Sequence, residues 1–185
     1  MRFTTLAAVV GAALATMTAP AEAAWKSYVS RSLGFSFEAP GEIKTEKGTY
    51  RGALAGPHDA IVYRSIDDGI EYKVTVVDFT SRAREETALL EEASSMFKQN
   101  KKVLMDMSER VESSYGRKIS IDIPNNGGRS IAAFLFNNGH LIQLQATVLP
   151  ANGDYKSPEP GRFIDSLAFG AARAEPGATE LALPK

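Results

Sequence analysis

The segment Ser130–Leu149 constrains this chain more than any other. Asn138-Gly139 stands there between two apolar-rich runs. A type I′ turn needs positive φ at both central positions, and Asn-Gly supplies it. With that pair at the tip of a hairpin, Leu135 faces Ile142, Ala133 faces Leu144 and Ile131 faces Ala146. Directly paired residues share a side of the sheet, so one face is wholly aliphatic. The other carries Ala132, Phe134, Phe136 and Leu141 beside Gln143 and Gln145. A sheet wetted on one side does not normally show two phenylalanines to water. Either both faces are covered, or Phe134 and Phe136 form an interaction surface.

The remaining segments supply partners for that hairpin. Gly34–Ala39 alternates apolar and polar residues and stops at Pro40-Gly41, which predicts a strand after a short lead-in, Trp25–Ser32. Gly41–Gly48 is polar and reads as a loop, and Thr49–Leu54 as a short strand. His58–Phe79 reads as a second hairpin around Asp68-Gly69. A two-residue turn sets Ile61 opposite Val76, Tyr63 opposite Val74 and Ser65 opposite Tyr72. A three-residue Asp67-Asp68-Gly69 loop would pair Ile66 with Ile70, and both registers stay open.

Thr80 to about Asn100 reads as the main helix, capped by Thr80 or Ser81, with Glu85 and Glu86 near its positive end. Leu89, Leu90, Ala93, Met96 and Phe97 form its apolar stripe. Residues 103–112 fit a strand or a continuation of the helix, and the lysine run after Asn100 favours the strand. Lys118–Ile123 alternates as a strand should. Pro158–Leu167 predicts a short helix burying Phe163, Ile164 and Leu167. Residues 170–185 are Ala, Gly, Pro and Glu rich and read as a disordered tail. Strands in hairpins with helices at a few places indicate an α+β domain, mostly antiparallel, rather than a doubly wound α/β one.

Of the 185 residues, the first 23 carry the pattern of an export signal: Arg2, the apolar run Leu6–Ala15 and Ala21-Glu22-Ala23. The expectation is a signal peptide over 1–23, one domain over 24–169 and a periplasmic or secreted protein. The apolar run is shorter than the ~20 residues of a membrane span, so no stable membrane insertion is expected after cleavage. There is no cysteine, which removes disulfides, thiol nucleophiles, thiolate metal sites and a lipid-modified cysteine anchor. A net charge of −1 leaves no basic stripe for nucleic acid.

Gly34-Phe35-Ser36-Phe37-Glu38-Ala39-Pro40 resembles the opening strand of the Mog1/PsbP-like superfamily. The Asn138-Gly139 hairpin and Gly161-Arg162-Phe163-Ile164-Asp165-Ser166-Leu167 are similar to that group's closing hairpin and last helix. Leu167 stands where members often carry an aromatic residue. The resemblance spans Trp25 to Phe169 and implies an antiparallel sheet between helices, an αβα sandwich. It also implies a non-catalytic binding or accessory habit, with a protein partner. It transfers no functional residue.

No catalytic constellation emerges from the residues themselves. His58 and His140 are the only histidines. His58-Asp59 is the nearest approach to a site, although a solvated loop histidine explains it as well, and His140 closes a tight turn. No Gly-x-Ser-x-Gly elbow is present. Asp67-Asp68 lacks calcium-loop spacing, and neighbouring glutamates on a helix do not face each other. The expectation is therefore no catalytic residue, no metal and no cofactor. The alternative is a small hydrolase-like envelope enzyme whose site assembles from distant residues around His58, such as Asp59 and a serine. Phe134 and Phe136 are the one candidate interaction surface, with burial beneath Leu89, Ala93 and Phe97 as the competing reading.

Overall fold

The computed structural model describes residues 24–170 and 176–184. The expected signal segment lies outside them. The strands are β1 (Trp25–Ser30), β2 (Phe35–Pro40), β3 (Lys44–Gly52), β4 (Gly56–Asp67), β5 (Ile70–Asp78), β6 (Lys102–Val111), β7 (Ser114–Asp122), β8 (Arg129–Asn137), β9 (His140–Val148), β10 (Ala168–Phe169) and β11 (Thr179–Glu180). Two α-helices accompany them, α1 (Glu86–Lys98) and α2 (Glu159–Asp165). Strands β3 to β9 form a seven-stranded sheet in the order β3-β4-β5-β9-β8-β7-β6, antiparallel throughout. A smaller sheet follows the order β10-β2-β1-β11. The architecture is α+β.

Both hairpins take the two-residue turn. Asp68 and Gly69 have φ of 42° and 68°, and Asn138 and Gly139 have 48° and 81°, as a type I′ turn requires. The pairs Ile61↔Val76, Tyr63↔Val74, Leu135↔Ile142 and Ala133↔Leu144 follow. The hairpins join along β5 and β9, where Val74 meets Leu144 and Val76 meets Ile142. These aliphatic residues pack against Phe35, Phe37, Phe163 and Ile164 from the small sheet and α2.

The opposite face is covered by α1. Leu89, Ala93 and Phe97 pack with Phe134, Phe136, Ile119, Ile121 and Phe79. Phe134 is 0% exposed and Phe136 3%, and the Phe97 ring meets Phe134 edge-on at 5.4 Å. Phe134 and Phe136 are therefore core and not an interaction surface, because the α1 stripe needs this patch of sheet to bury itself. Further along the same face the glutamines form a ladder. Gln143 donates to Gln145 at 3.1 Å, and Gln145 donates to the Thr147 hydroxyl at 3.1 Å.

Four other expectations need correction. Trp25–Ser30 is strand β1, paired residue for residue with β2. Residues 44–48 belong to edge strand β3, whose charges read as a loop although edge strands commonly carry them. The main helix begins at Glu86, after a 3-10 segment over Thr80–Glu85, and neither Thr80 nor Ser81 caps it. The Thr80 amide and hydroxyl both donate to Asp78 Oδ1 at 2.8 Å instead, closing the end of β5. Lastly, the segment read as a disordered tail contains β11, parallel to β1, and Leu181 is buried in the core. One leucine with a hydrophobic place to go outweighs the polar average around it. Residues 103–112 form β6, as favoured.

Candidate functional site

Where the small sheet ends, the face of the large sheet that it covers remains open as a cleft of about 400 Å³. Ile61 and Val76 form its floor, and Leu33, Leu183 and Pro184 form its apolar walls. Leu33 comes from the turn between β1 and β2, and Leu183 and Pro184 from the C-terminal segment. Asp59, Asp78, His140 and Lys47 supply its polar groups. Strand register places them. Asp78 pairs with His140 across β5 and β9. Asp59 lies one position beyond the Ala60↔Val77 pair, on the strand next to Asp78, and Thr49 faces Asp59 from β3.

The local bonds set what these groups offer. The His140 Nδ1 donates to the Asn138 carbonyl at 3.1 Å, so the neutral ring keeps Nε2 as an acceptor. The amide and hydroxyl of Thr80 hold the Asp78 carboxyl below its ordinary range, against the opposing effect of burial. Asp78 is thus a carboxylate at neutral pH. Among the described residues Asp59, Asp78 and Lys47 enter no ion pair within 4.0 Å. The cleft therefore presents apolar surface rimmed by acceptors and one ammonium group, a usual constitution for a binding pocket. Its lining contains no serine, threonine or cysteine.

Sequence adjacency suggested His58 with Asp59, but the structure separates them. Neighbouring residues on a strand point to opposite faces. His58 lies edge-on to Phe79 at 4.7 Å and donates through Nε2 to the Ala55 carbonyl at 3.1 Å. Asp59 is brought instead to the cleft that His140 lines. The sequence pattern does not single out Asp78, Lys47 or Leu183-Pro184. Of the two registers open for the Asp68-Gly69 hairpin, the two-residue turn that the structure takes sets Asp78 beside Asp59, whereas the approach of β9 and of the C-terminal segment is long-range and left no local mark. Among the described residues no group of three or more histidines and carboxylates is placed to hold a metal ion. Among them also, no helix is long and apolar enough to cross a membrane.

A second depression, about 510 Å³, lies near the Asp67-Asp68 turn and α2. Its walls are occupied with one another. The Arg162 guanidinium stacks on Trp25 at 4.0 Å, and Asn152 donates to the Asp68 carbonyl at 2.6 Å. Burial, then the nearby Glu159, Asp67 and Asp68, push the Tyr72 hydroxyl well above its ordinary pKa.

Among solved structures the chain is similar to the solution structure of cyanobacterial PsbP (CyanoP) from Synechocystis sp. PCC 6803. The TM-score is 0.53 at 13% identity, over 84% of this chain and 98% of that one. The chain has the Mog1/PsbP-like fold. At this identity the likeness concerns the fold alone. No protein-family model matches the sequence, and no curated protein matches it. The PsbP-like fold thus frames the cleft, while its polar groups are read from this chain's own residues.

Proposed function

We propose that this chain is an exported, non-catalytic accessory or binding protein of the cell envelope, which engages a protein partner at the cleft beside His140. Its residues 1–23 act as a cleaved signal peptide, and the mature domain is periplasmic or secreted. The observation that carries this reading is the cleft itself: an apolar floor and walls, rimmed by Asp59, Asp78, His140 and Lys47, with no serine, threonine or cysteine in its lining. The PsbP-like fold is compatible with it.

The test is capture of partners from the source organism's own envelope extract, followed by mass spectrometry. The expected result is a stoichiometric protein held by the wild type and lost on Asp59→Arg, an exposed position where a charge reversal leaves the core untouched. The meeting of Asp59 and His140 in one cleft favours a second reading, a small envelope enzyme. Hydrolytic turnover that disappears in the His58→Ala/His140→Ala double variant would establish it and overturn the accessory role.

A further inference from the structure

The C-terminal segment occupies the edge of β1 as a peptide would. Thr179 and Glu180 pair in parallel with Tyr28 and Val29, and the Leu181 amide donates to the Val29 carbonyl at 2.8 Å. Leu181 is buried at 6% exposure in the core that also holds Tyr28 and Phe35. The Glu180 carboxylate accepts from the Arg31 amide at 3.0 Å and from its guanidinium. The contact is nonetheless slight. Two of the six residues of β1 are paired, and the ion pair is exposed, with side chains 61% and 45% accessible. Exposed ion pairs contribute little. Among the described residues no strand lies beside Trp25, Lys26 and Ser27 on this edge. A strand edge partly paired by a short segment is open to a longer one.

We infer that residues 179–184 are a displaceable strap, and that the β1 edge they occupy is the docking site for an extended peptide segment of a partner protein. That segment adds to β1 in parallel and carries an acidic residue followed by a leucine. The chain's own strap defines this chemistry: Arg31 selects the carboxylate, and the pocket filled by Leu181 selects the aliphatic side chain. The strap competes from a high effective concentration because it is tethered. A partner displaces it by pairing with Trp25–Ser27 as well. Displacement also withdraws Leu183 and Pro184 from the wall of the cleft, so docking and opening of the cleft are one event. The inference rests on the accessory-protein reading for the existence of a partner.

The test uses the full chain and a labelled peptide with the sequence of residues 177–184, followed by fluorescence anisotropy. Leu181→Asp and, separately, Glu180→Arg unseat the strap; the second leaves the core intact and serves if the first fails to fold. The peptide is expected to bind the Leu181→Asp variant at least tenfold more tightly than the wild type, and the Glu180→Arg variant about two- to fivefold more tightly. A peptide with aspartate in place of the leucine that corresponds to Leu181 is expected not to bind. Adding Arg31→Glu is expected to weaken binding about two- to fivefold, as fits an exposed ion pair, with recovery for a peptide carrying lysine in place of its glutamate. Equal binding to wild type and variants, or binding indifferent to the leucine at the Leu181 position of the peptide, overturns the inference. So does a stable dimer formed by exchange of straps, because the occupant is then a second copy. If the peptide fails while envelope capture still yields a partner sensitive to Asp59→Arg, the strap falls and the accessory reading stands. Peptide binding without any envelope partner is the reverse case.

Discussion

Phe134 decides how the α1 face of the sheet is to be understood. Its ring is fully buried against Phe97, and a carboxylate in that place would have no partner. An unpaired buried charge costs several kcal/mol, a large share of the ~5–15 kcal/mol that holds a domain together. Phe134→Asp is therefore expected to abolish cooperative folding by circular dichroism, whereas Phe134→Leu costs about 1–2 kcal/mol. A folded Phe134→Asp protein that had merely lost an association would return this residue to the surface. Asp78 is the complementary case, an exposed group with a definite bonding role. The Thr80 amide, then the Thr80 hydroxyl, bind its ionised form and lower its pKa in the folded chain. Its contribution is therefore present above the unfolded carboxyl value and is lost as pH falls through the lower folded value. Asp78→Ala should cost roughly 0.5–1 kcal/mol at pH 7, at the low end for a hydrogen bond because solvent screens it. In urea titrations that difference should shrink below the ordinary carboxylate range. A difference constant down to pH 2 would contradict this account.

At the scale of elements, α1 is fastened to the sheet by more than its apolar stripe. Glu92 accepts from the Tyr50 hydroxyl at 3.1 Å, from the Ala55 amide at 3.4 Å and from the Leu54 amide. It thereby ties the β3–β4 turn to the helix. The carboxylate reaches in because position 52 is glycine: a Cβ there would lie 2.0 Å from Glu92 Oε2. Glu92→Ala and Gly52→Ala are both expected to lower stability by about 1–2 kcal/mol and to speed hydrogen exchange at the Leu54 and Ala55 amides. Exchange unchanged in both variants would mean that the turn is held by other contacts. This tether was invisible in the sequence, where Glu92 is one of the neighbouring glutamates on a helix that do not face each other. What was legible were the elements whose signals are local. Asn138-Gly139 set one hairpin with its register, Asp68-Gly69 marked a second whose register stayed open, and the Leu89, Ala93 and Phe97 spacing marked the buried side of α1. Residues 103–112 stayed ambiguous because the register shifts between Val103 and Met105, and such a bulge breaks the alternation that identifies a strand. The cleft was illegible for a related reason. Its Asp59 and Asp78 follow from a hairpin register, but His140 and Leu183 arrive through pairings between distant parts of the chain.

At the largest scale, the described residues form a sheet shared by two cores. One lies between the sheet and α1, the other between the sheet and the small sheet with α2. Side chains alternate along β8 and β9, so each strand contributes to both. Phe134 and Phe136 face α1 while Ala133 and Leu135 face the other way, and Leu141 opposes Ile142 in the same manner. Neither core can loosen without disturbing the backbone that holds the other, and the domain should unfold as one unit. Leu89→Ala opens the α1 core and Phe163→Ala the opposite one; both side chains are fully buried. Each is expected to cost about 2–5 kcal/mol and to move a single transition, with tryptophan fluorescence from Trp25 and far-ultraviolet dichroism changing together. Trp25 packs edge-on against Tyr72 at 5.8 Å, on the far side of the sheet from Leu89. The decisive comparison is therefore Leu89→Ala followed by Trp25 emission. If the fluorescence midpoint stays at its wild-type value while dichroism shows an earlier loss of helix, the cores are independent. Coincident midpoints, both lowered, establish that the shared strands couple them. Coupling of that kind also sets the background for strap exchange, because a segment leaving the edge of β1 withdraws Leu181 from one of two mutually supporting cores rather than from a separate module.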